Sequence, residues 1–170
     1  SCACCGNQDG EIWTAGNRRP ECGAYLPVSE SSLFEVASIS KLFTASLAAI
    51  LHCRGVLDID EKFTRYLPGH VLAREYTSIT LRDIASHSAG FSDGWFYSDW
   101  HGAKMYRDPK RFREGVLSAR PVVKRRSCCR YACHNMILIG YAIENVCGMD
   151  LDAAAREFLW RPLGMSSTCW

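Results

Sequence analysis

The feature that most constrains this chain is the stretch over residues 39–52, which is apolar nearly all round. Large apolar side chains recur through it, with alanines between them and Gly55 following as a helix stop; they are Ile39, Leu42, Phe43, Leu47, Ile50 and Leu51. A helix without a polar face is buried on every side. The fold therefore needs several other elements packed around this segment. With 170 residues, 48% of them apolar, the chain is long enough to supply that core as one domain.

Three further segments carry helix signals. A capping-box pattern at Thr80 and Asp83 opens a short helix. A second apolar pattern with helical spacing covers residues 134–147. Asp150 is a suitable N-cap for a final helix over residues 151–160. Together with the apolar stretch, these segments predict a mainly helical region.

The N-terminal part has a different pattern. Two short apolar stretches, residues 1–6 and 11–15, flank a polar segment that ends in Asp-Gly, a dipeptide typical of a hairpin turn. We therefore predict an α+β fold in a single domain. Its sheet part, a β-hairpin and a loop, takes residues 1–33, and its mainly helical part takes residues 34–170.

Ten cysteines are many for this length, but their spacing does not resemble a disulfide framework. Two clusters, residues 2–5 and 128–134, leave a zinc or redox site open as an alternative. In the first cluster, a strand would place neighbouring thiols on opposite faces, which argues against a shared metal. Cys53 and Cys147 fall in apolar helical patterns, where a free cysteine packs as a small hydrophobic residue. We expect no metal and no organic cofactor.

The net charge of +2 gives no general attraction to nucleic acid or to a membrane surface. Residues 104–130 nevertheless hold ten basic and two acidic side chains, with Tyr106 and Phe112 among them. A nucleic-acid surface shows the same mixture. We favour a solvated helix-and-loop face and expect no nucleic-acid partner. No apolar run reaches the roughly 18 residues that a membrane-spanning helix needs.

The chemistry is carried by Ser38 and Lys41, at the start of the apolar helix. Residues three apart lie on one face of a helix, so the hydroxyl and the amine meet. A serine nucleophile needs a neighbouring base, and a lysine is that base if burial or nearby positive charge lowers its pKa. The helix N-terminus adds backbone N–H groups near a forming oxyanion. A capping serine beside a surface lysine gives the same pattern, so the pair alone leaves both interpretations open.

A longer series of segments favours the catalytic interpretation. The segments lie in one order over nearly the whole chain; they are LFEVASISKLFT (33–44), GVLDID (55–60), ITLRDIASHSAG (79–90), YACHNMILIG (131–140) and FLWRPLGM (158–165). In this order they resemble the S-x-x-K serine acyltransferases, which include class C β-lactamases, penicillin-binding D,D-peptidases and related esterases. The resemblance implies a β-lactamase/transpeptidase-like fold and acyl transfer through a serine. It does not specify the substrate.

The resemblance also implies roles for individual residues. Ser38 matches the acylated nucleophile, Lys41 matches the base that activates it, and Tyr131 matches a tyrosine that passes a proton to and from the leaving group. Cys133 stands where the family's Tyr-x-Asn motif has a substrate-binding asparagine, and a thiol bonds a substrate amide poorly. This departure favours esterase or peptidase-type hydrolysis over strong β-lactamase activity.

The family's third motif, Lys or His with a following glycine on a strand, does not occur after residue 140. That strand supplies an oxyanion donor, and losing one such donor costs about 100- to 1000-fold in rate. We therefore expect a truncated member of the family whose C-terminal sheet strands are missing and whose sheet a partner segment could complete. Two functions stay open. One is a serine hydrolase acting on an ester, amide or β-lactam, and the other is a catalytically impaired remnant with a binding or structural role.

Overall fold

The computed structural model describes residues 2–8, 11–17, 32–68, 74–93 and 108–170. The chain divides into two compact units, residues 1–37 and residues 38–170. The first unit contains strands β1 (Cys2–Gln8) and β2 (Glu11–Asn17), which pair antiparallel with Cys2 opposite Asn17 and Gln8 opposite Glu11. The predicted turn at residues 9 and 10 lies outside the described residues, so the hairpin stays a prediction. Among the described residues, β1 and β2 are the only strands.

The second unit is helical. Its α-helices are α1 (Ser40–Cys53), α2 (Leu81–Ala85), α3 (Pro109–Ser118), α4 (Cys133–Cys147) and α5 (Leu151–Ala155). A 3₁₀ turn over Ala37–Ile39 leads into α1, and α5 continues as a π-helical turn over Arg156–Trp160. Two more 3₁₀ turns, Phe63–Tyr66 and Arg74–Ser78, lie between α1 and α2. In the ranges given above, no helix combines the length and the apolar composition needed to cross a bilayer.

Most of the predicted helices are confirmed to within a residue or two. The capping box is present: the Thr80 hydroxyl accepts from the Asp83 N–H at 3.2 Å, and the Asp83 carboxylate accepts from the Thr80 N–H at 3.1 Å. The helix predicted over residues 151–160 spans those residues, but its second half is π-helical and not α-helical. Thus the local signals place these elements well.

The core lies where α1 and α4 contact each other. Both helices contribute fully buried side chains; they are Leu47, Leu51, Leu138, Ile139 and Ile143. The prediction that residues 39–52 are buried on every side is wrong for the first turn, because Ile39 is 58% exposed and Leu42 is 65% exposed. Cys53, predicted to pack in the core, is also exposed, because it lies in the last turn of α1. The start of α1 therefore opens to the surface, and its middle forms the core.

The Asp83 carboxylate ties the basic stretch to α2. Its side chain is 1% exposed, and it accepts hydrogen bonds from Arg125 (2.9 Å) and Arg126 (2.6 Å) as well as from Thr80. Arg125 also donates to the carbonyl of Ser78. These arginines hold the irregular segment after α3 against α2. At least part of the basic stretch is therefore bound to the protein's own scaffold.

Candidate active site

Ser38 lies in the 3₁₀ turn that leads into α1. The residue before it, Ala37, has a φ of 45°, in the left-handed region that costs an L-residue about 1–2 kcal/mol. One turn later, Lys41 points back toward the serine, and its Nζ donates to Ser38 Oγ at 3.1 Å. The contact expected from the three-residue spacing is therefore present.

Tyr131 approaches the same oxygen from a different part of the chain. It lies in the extended segment before α4, and its hydroxyl donates to Ser38 Oγ at 2.8 Å. The Lys41 Nζ lies 5.0 Å from the centroid of the Tyr131 ring. Ser38 Oγ therefore accepts from an ammonium group and a phenol at once. The side chain of Tyr131 is 57% exposed, so a substrate can reach the group.

The protonation of Lys41 follows from its neighbours. Burial works to lower the pKa of Lys41, but hydrogen bonds to Tyr131 and Cys133, together with the charges of those groups when ionised, raise the pKa above its usual value. Lys41 is consequently a cation at neutral pH. This direction is opposite to the one that a lysine base requires, and the role of Lys41 as the base stays a prediction.

Cys133 is the first residue of α4 and lies beside Lys41. A pocket of about 340 Å³ opens next to these two residues. Its walls are mainly apolar and come from α1, α4, the start of α5 and Trp170; the apolar residues include Met136, Ile137, Gly140, Tyr141 and Leu151. The position that the sequence assigned to substrate binding thus lines a pocket together with Lys41.

Sequence reasoning missed two residues that hold the Tyr131 segment. Asp93 accepts from the backbone N–H groups of Cys133 (2.8 Å) and His134 (3.1 Å), which caps the start of α4. His87 packs its ring on Tyr131, with the ring centroids 4.9 Å apart. No local pattern marks Asp93, because the N–H groups it caps are 40 residues away in the chain. For His87 the only signal is its place in the His-Ser-Ala-Gly sequence at residues 87–90.

The second cysteine cluster, residues 128–134, lies within the described residues. Among the described residues, no group of three or more His, Cys, Asp or Glu side chains is placed to hold a metal ion. His134, a member of that cluster, is buried in the core, where it contacts the Phe91 ring and its Nε2 lies 3.3 Å from the Tyr76 hydroxyl. Burial lowers the pKa of His134 to about 4. Side chains of the cluster at residues 2–5 lie outside the described part of the structure.

Comparisons with known proteins match this arrangement. A family model described as Beta-lactamase matches residues 3–170. A β-lactamase of Escherichia coli (strain K12) is 36% identical over 142 residues, which cover 84% of this chain and 36% of that protein. A D-stereospecific amidohydrolase from a Streptomyces species has a TM-score of 0.69 at 25% identity, covering 91% of this chain and 46% of the other. An octameric penicillin-binding protein homologue from Pyrococcus abyssi has a TM-score of 0.76 at 22% identity, covering 94% and 38%.

This chain spans less than half the length of each of these three proteins. The match to the family model nevertheless runs over almost all of it and includes the segments around Ser38 and Tyr131. The solved structures share the arrangement of its backbone. On this evidence the chain belongs to the β-lactamase family.

Proposed function

We propose that this protein is a serine hydrolase that forms an acyl-enzyme on Ser38 with an ester or an amide. The observation that carries the proposal is the convergence of Lys41 Nζ (3.1 Å) and the Tyr131 hydroxyl (2.8 Å) on Ser38 Oγ. A serine needs a positioned proton acceptor to become a nucleophile, and a nearby cation stabilises its ionised form. Membership of the β-lactamase family supports the same chemistry.

In the acylation step, Ser38 Oγ attacks the substrate carbonyl carbon. The serine proton passes to the oxygen of Tyr131 as the tyrosine hydroxyl releases its own proton toward the leaving group, so the phenol stays neutral beside the Lys41 cation. The bond from the carbonyl carbon to the leaving oxygen or nitrogen then breaks, and Tyr131 gives that atom the proton. The products are an ester on Ser38 and a neutral alcohol or amine. Because Lys41 keeps its proton throughout, its raised pKa is suited to this role.

Deacylation repeats these transfers with water. Tyr131 takes a proton from the attacking water, whose oxygen bonds to the acyl carbon. The bond to Ser38 Oγ then breaks, and the proton returns to the serine. An alcohol or amine in place of water gives acyl transfer by the same route. The exposed position of Tyr131 leaves room for either acceptor.

Cys133 and the pocket indicate the class of substrate. A thiol bonds a substrate amide less well than an asparagine does, which favours esters over amides. The mainly apolar walls of the 340 Å³ pocket beside Lys41 and Cys133 suit an apolar group on the substrate. The relative from E. coli is named a β-lactamase, so β-lactams are the amides to test first.

The test is intact mass spectrometry of the folded protein after incubation with an activated ester and, separately, with a penicillin. We expect an adduct that maps to Ser38, faster with the ester. Ser38→Ala should remove the adduct, whereas the matched control Ser46→Ala, in the middle of α1, should keep it. An adduct that survives Ser38→Ala and disappears with Cys133→Ala would contradict the assignment of the nucleophile.

The second candidate function is a catalytically impaired protein with a binding or structural role. It is favoured by the exposed apolar side chains of Ile39 and Leu42, which follow Ser38 in the chain. Such a surface is suited to a partner segment that completes the cleft. A folded protein that forms no adduct with either reagent would support this candidate and refute the hydrolase.

A further inference from the structure

His87 occupies an unusual position beside the nucleophile cluster, which we define as Ser38, Lys41 and Tyr131. It lies in the turn after α2 and has a φ of 56°, a conformation that few side chains adopt. Its half-buried ring lies 4.9 Å from the ring of Tyr131, at an angle of 36°. The backbone is thus held in an unfavourable conformation that places this imidazole against the tyrosine.

The hydrogen bonds of His87 determine its protonation state. The backbone N–H of Ala132 lies 3.3 Å from Nδ1, and a backbone N–H can only donate. Nδ1 therefore carries a lone pair, so the ring is neutral with its proton on Nε2. It follows that the fully buried Asn135 donates to Nδ1 through its Nδ2, at 2.8 Å.

These contacts lie on both sides of Tyr131. The carbonyl of His87 accepts from the N–H of Arg130 at 2.7 Å, and its Nδ1 accepts from the N–H of Ala132. The ring contacts the side chain of the residue between them. One residue therefore holds the backbone before and after Tyr131 as well as the tyrosine ring.

The charges around His87 keep it in this state. Burial lowers the pKa of His87, the Lys41 cation lowers it further, and only Asp93 acts in the opposite direction. Protonation would place a hydrogen on Nδ1, where two donors already point. At neutral pH the imidazole therefore remains an acceptor.

We infer that His87 is the positioning residue for Tyr131. As a neutral imidazole it fixes the tyrosine so that the hydroxyl lies 2.8 Å from Ser38 Oγ. The inference rests on the proposed function, because it gives Tyr131 the transfer of the serine proton. A misplacement of about 1 Å in such a group costs about 100-fold in rate.

The first test is a double-mutant cycle on the rate of acylation by an activated ester, with His87→Ala, Tyr131→Phe and the double variant. We expect His87→Ala to slow acylation by about 100-fold when Tyr131 is present. In the Tyr131→Phe background it should slow acylation by no more than about threefold, because the group that it positions is gone. An equal loss in both backgrounds would show a general structural role and overturn the inference.

His87→Asn is the conservative variant. Asparagine tolerates a positive φ and carries a carbonyl oxygen as an acceptor, but it has no ring. We expect it to recover about tenfold of the rate lost in His87→Ala, and to serve as the test variant if His87→Ala does not fold. Ser86→Ala, one residue earlier, is the matched control and should keep the rate of the unaltered protein. If the folded His87→Asn variant is as slow as His87→Ala, an acceptor at this position does not help to place Tyr131, and the inference is overturned.

A second readout needs no reaction. The measurement is NMR of the protein with its tyrosines labelled with ¹³C at Cζ. The resonance that is lost in Tyr131→Phe is assigned to Tyr131. It should shift in His87→Ala and stay in place in Ser86→Ala. An unshifted resonance would overturn the positioning role even if Ser38 is acylated. A shifted resonance in a protein that forms no adduct would keep the positioning role and refute the proposed function.

Discussion

Two polar clusters in the helical unit differ in how they use their hydrogen bonds. The nucleophile cluster lies at the surface, and its two donors share the single oxygen of Ser38. The Asp83 carboxylate is 1% exposed, and its two oxygens accept from Thr80, Arg125 and Arg126. The comparison teaches that the proposed reactive groups and the groups that hold the fold around them belong to different clusters. The exposed cluster keeps its groups available to a substrate, while the buried carboxylate uses its oxygens to hold the segment that leads to Tyr131.

The largest effect that would sharpen this comparison is expected from Tyr131→Phe. The change removes the hydroxyl that we propose as the proton acceptor and keeps the ring, so acylation of Ser38 should fall by about 10²- to 10⁴-fold. The free energy of unfolding should hardly change, because the hydroxyl lies at the surface. Adduct formation by intact mass and urea denaturation measure the two quantities.

Tyr66→Phe is the matched control for this variant. The Tyr66 hydroxyl accepts from the N–H of Asp58 at 2.7 Å and donates to its carbonyl at 2.8 Å. This variant should lose about 1 kcal/mol of stability and keep its acylation rate. A rate that falls alike in both tyrosine variants would contradict the separation of reactivity and support.

The next largest effect is expected from Asp83→Ala. The change takes the shared acceptor from Thr80, Arg125 and Arg126 at once, and each hydrogen bond to a charged group contributes about 1.5–3 kcal/mol. We therefore expect the midpoint of urea denaturation to fall markedly. Asp60→Ala, which breaks an exposed pair with Arg82, is the control and should change the midpoint far less. Equal changes in the two variants would show that the burial of Asp83 is unimportant.

Acid should reproduce part of the Asp83 effect. Burial works to raise the pKa of Asp83, but the hydrogen bonds from Thr80, Arg126 and Arg125 outweigh it and lower the pKa. A lowered pKa stabilises the fold above the unfolded value of about 3.9, and this stability is lost as the pH falls through the folded value. The difference in unfolding free energy between the unaltered protein and Asp83→Asn should therefore shrink below about pH 4. A constant difference down to pH 2 would contradict this assignment.

A smaller effect is expected from Gly90→Ala. Gly90 lies in the turn after α2, against Val122 and Val123 of the basic stretch. A Cβ at Gly90 would overlap the carbonyl oxygen of Val123, and the φ of Gly90 is 91°. We expect a loss of about 2–3 kcal/mol from this overlap and from the backbone strain. Gly55→Ala is the control, because its φ is also positive, at 71°, but nothing lies within 4 Å of its Cβ. Similar losses in the two variants, measured by urea denaturation, would show that the close approach is unimportant.

The smallest effect is expected from Cys133→Ala. Cys133 lies beside Lys41, but we propose Ser38 as the nucleophile, so labelling of Ser38 by the activated ester should stay within about threefold of the unaltered protein. Cys147→Ala, at the other end of α4, is the control. Loss of labelling in Cys133→Ala alone would mean that the thiol takes part in the reaction.

Local patterns were sufficient to predict four of the five α-helices of the described residues, but not α3, and to predict the contact between Ser38 and Lys41, which are three residues apart. They also predicted the capping box of Thr80 and Asp83. The same patterns could not show that Asp83 binds Arg125 and Arg126, since those residues come together only through the tertiary fold. The exposed first turn of α1 was missed for the same reason, because hydropathy cannot tell which part of an apolar helix its neighbours cover.

Tyr131 came from the family resemblance and not from any spacing, since 93 residues separate it from Ser38. The structure adds the residues that hold it, His87 and Asp93, for which the sequence has no local rule. The pKa of Lys41 also depends on the tertiary neighbours Tyr131 and Cys133, which reverse the direction that burial alone would give. The sequence therefore could not predict which residues hold Tyr131 in place, or in which direction the pKa of Lys41 is shifted.

The π-helical turn over Arg156–Trp160 has a consequence for comparing this chain with its relatives. The N–H of Arg161 bonds to the carbonyl of Arg156, five residues earlier, so the turn holds one residue more than an α-helical turn would. Removing one residue there would restore an α-helix and leave the helix on either side in its original register. A relative whose helix is α-helical throughout should therefore align with a one-residue gap inside residues 156–160, while the buried Trp160 keeps its counterpart.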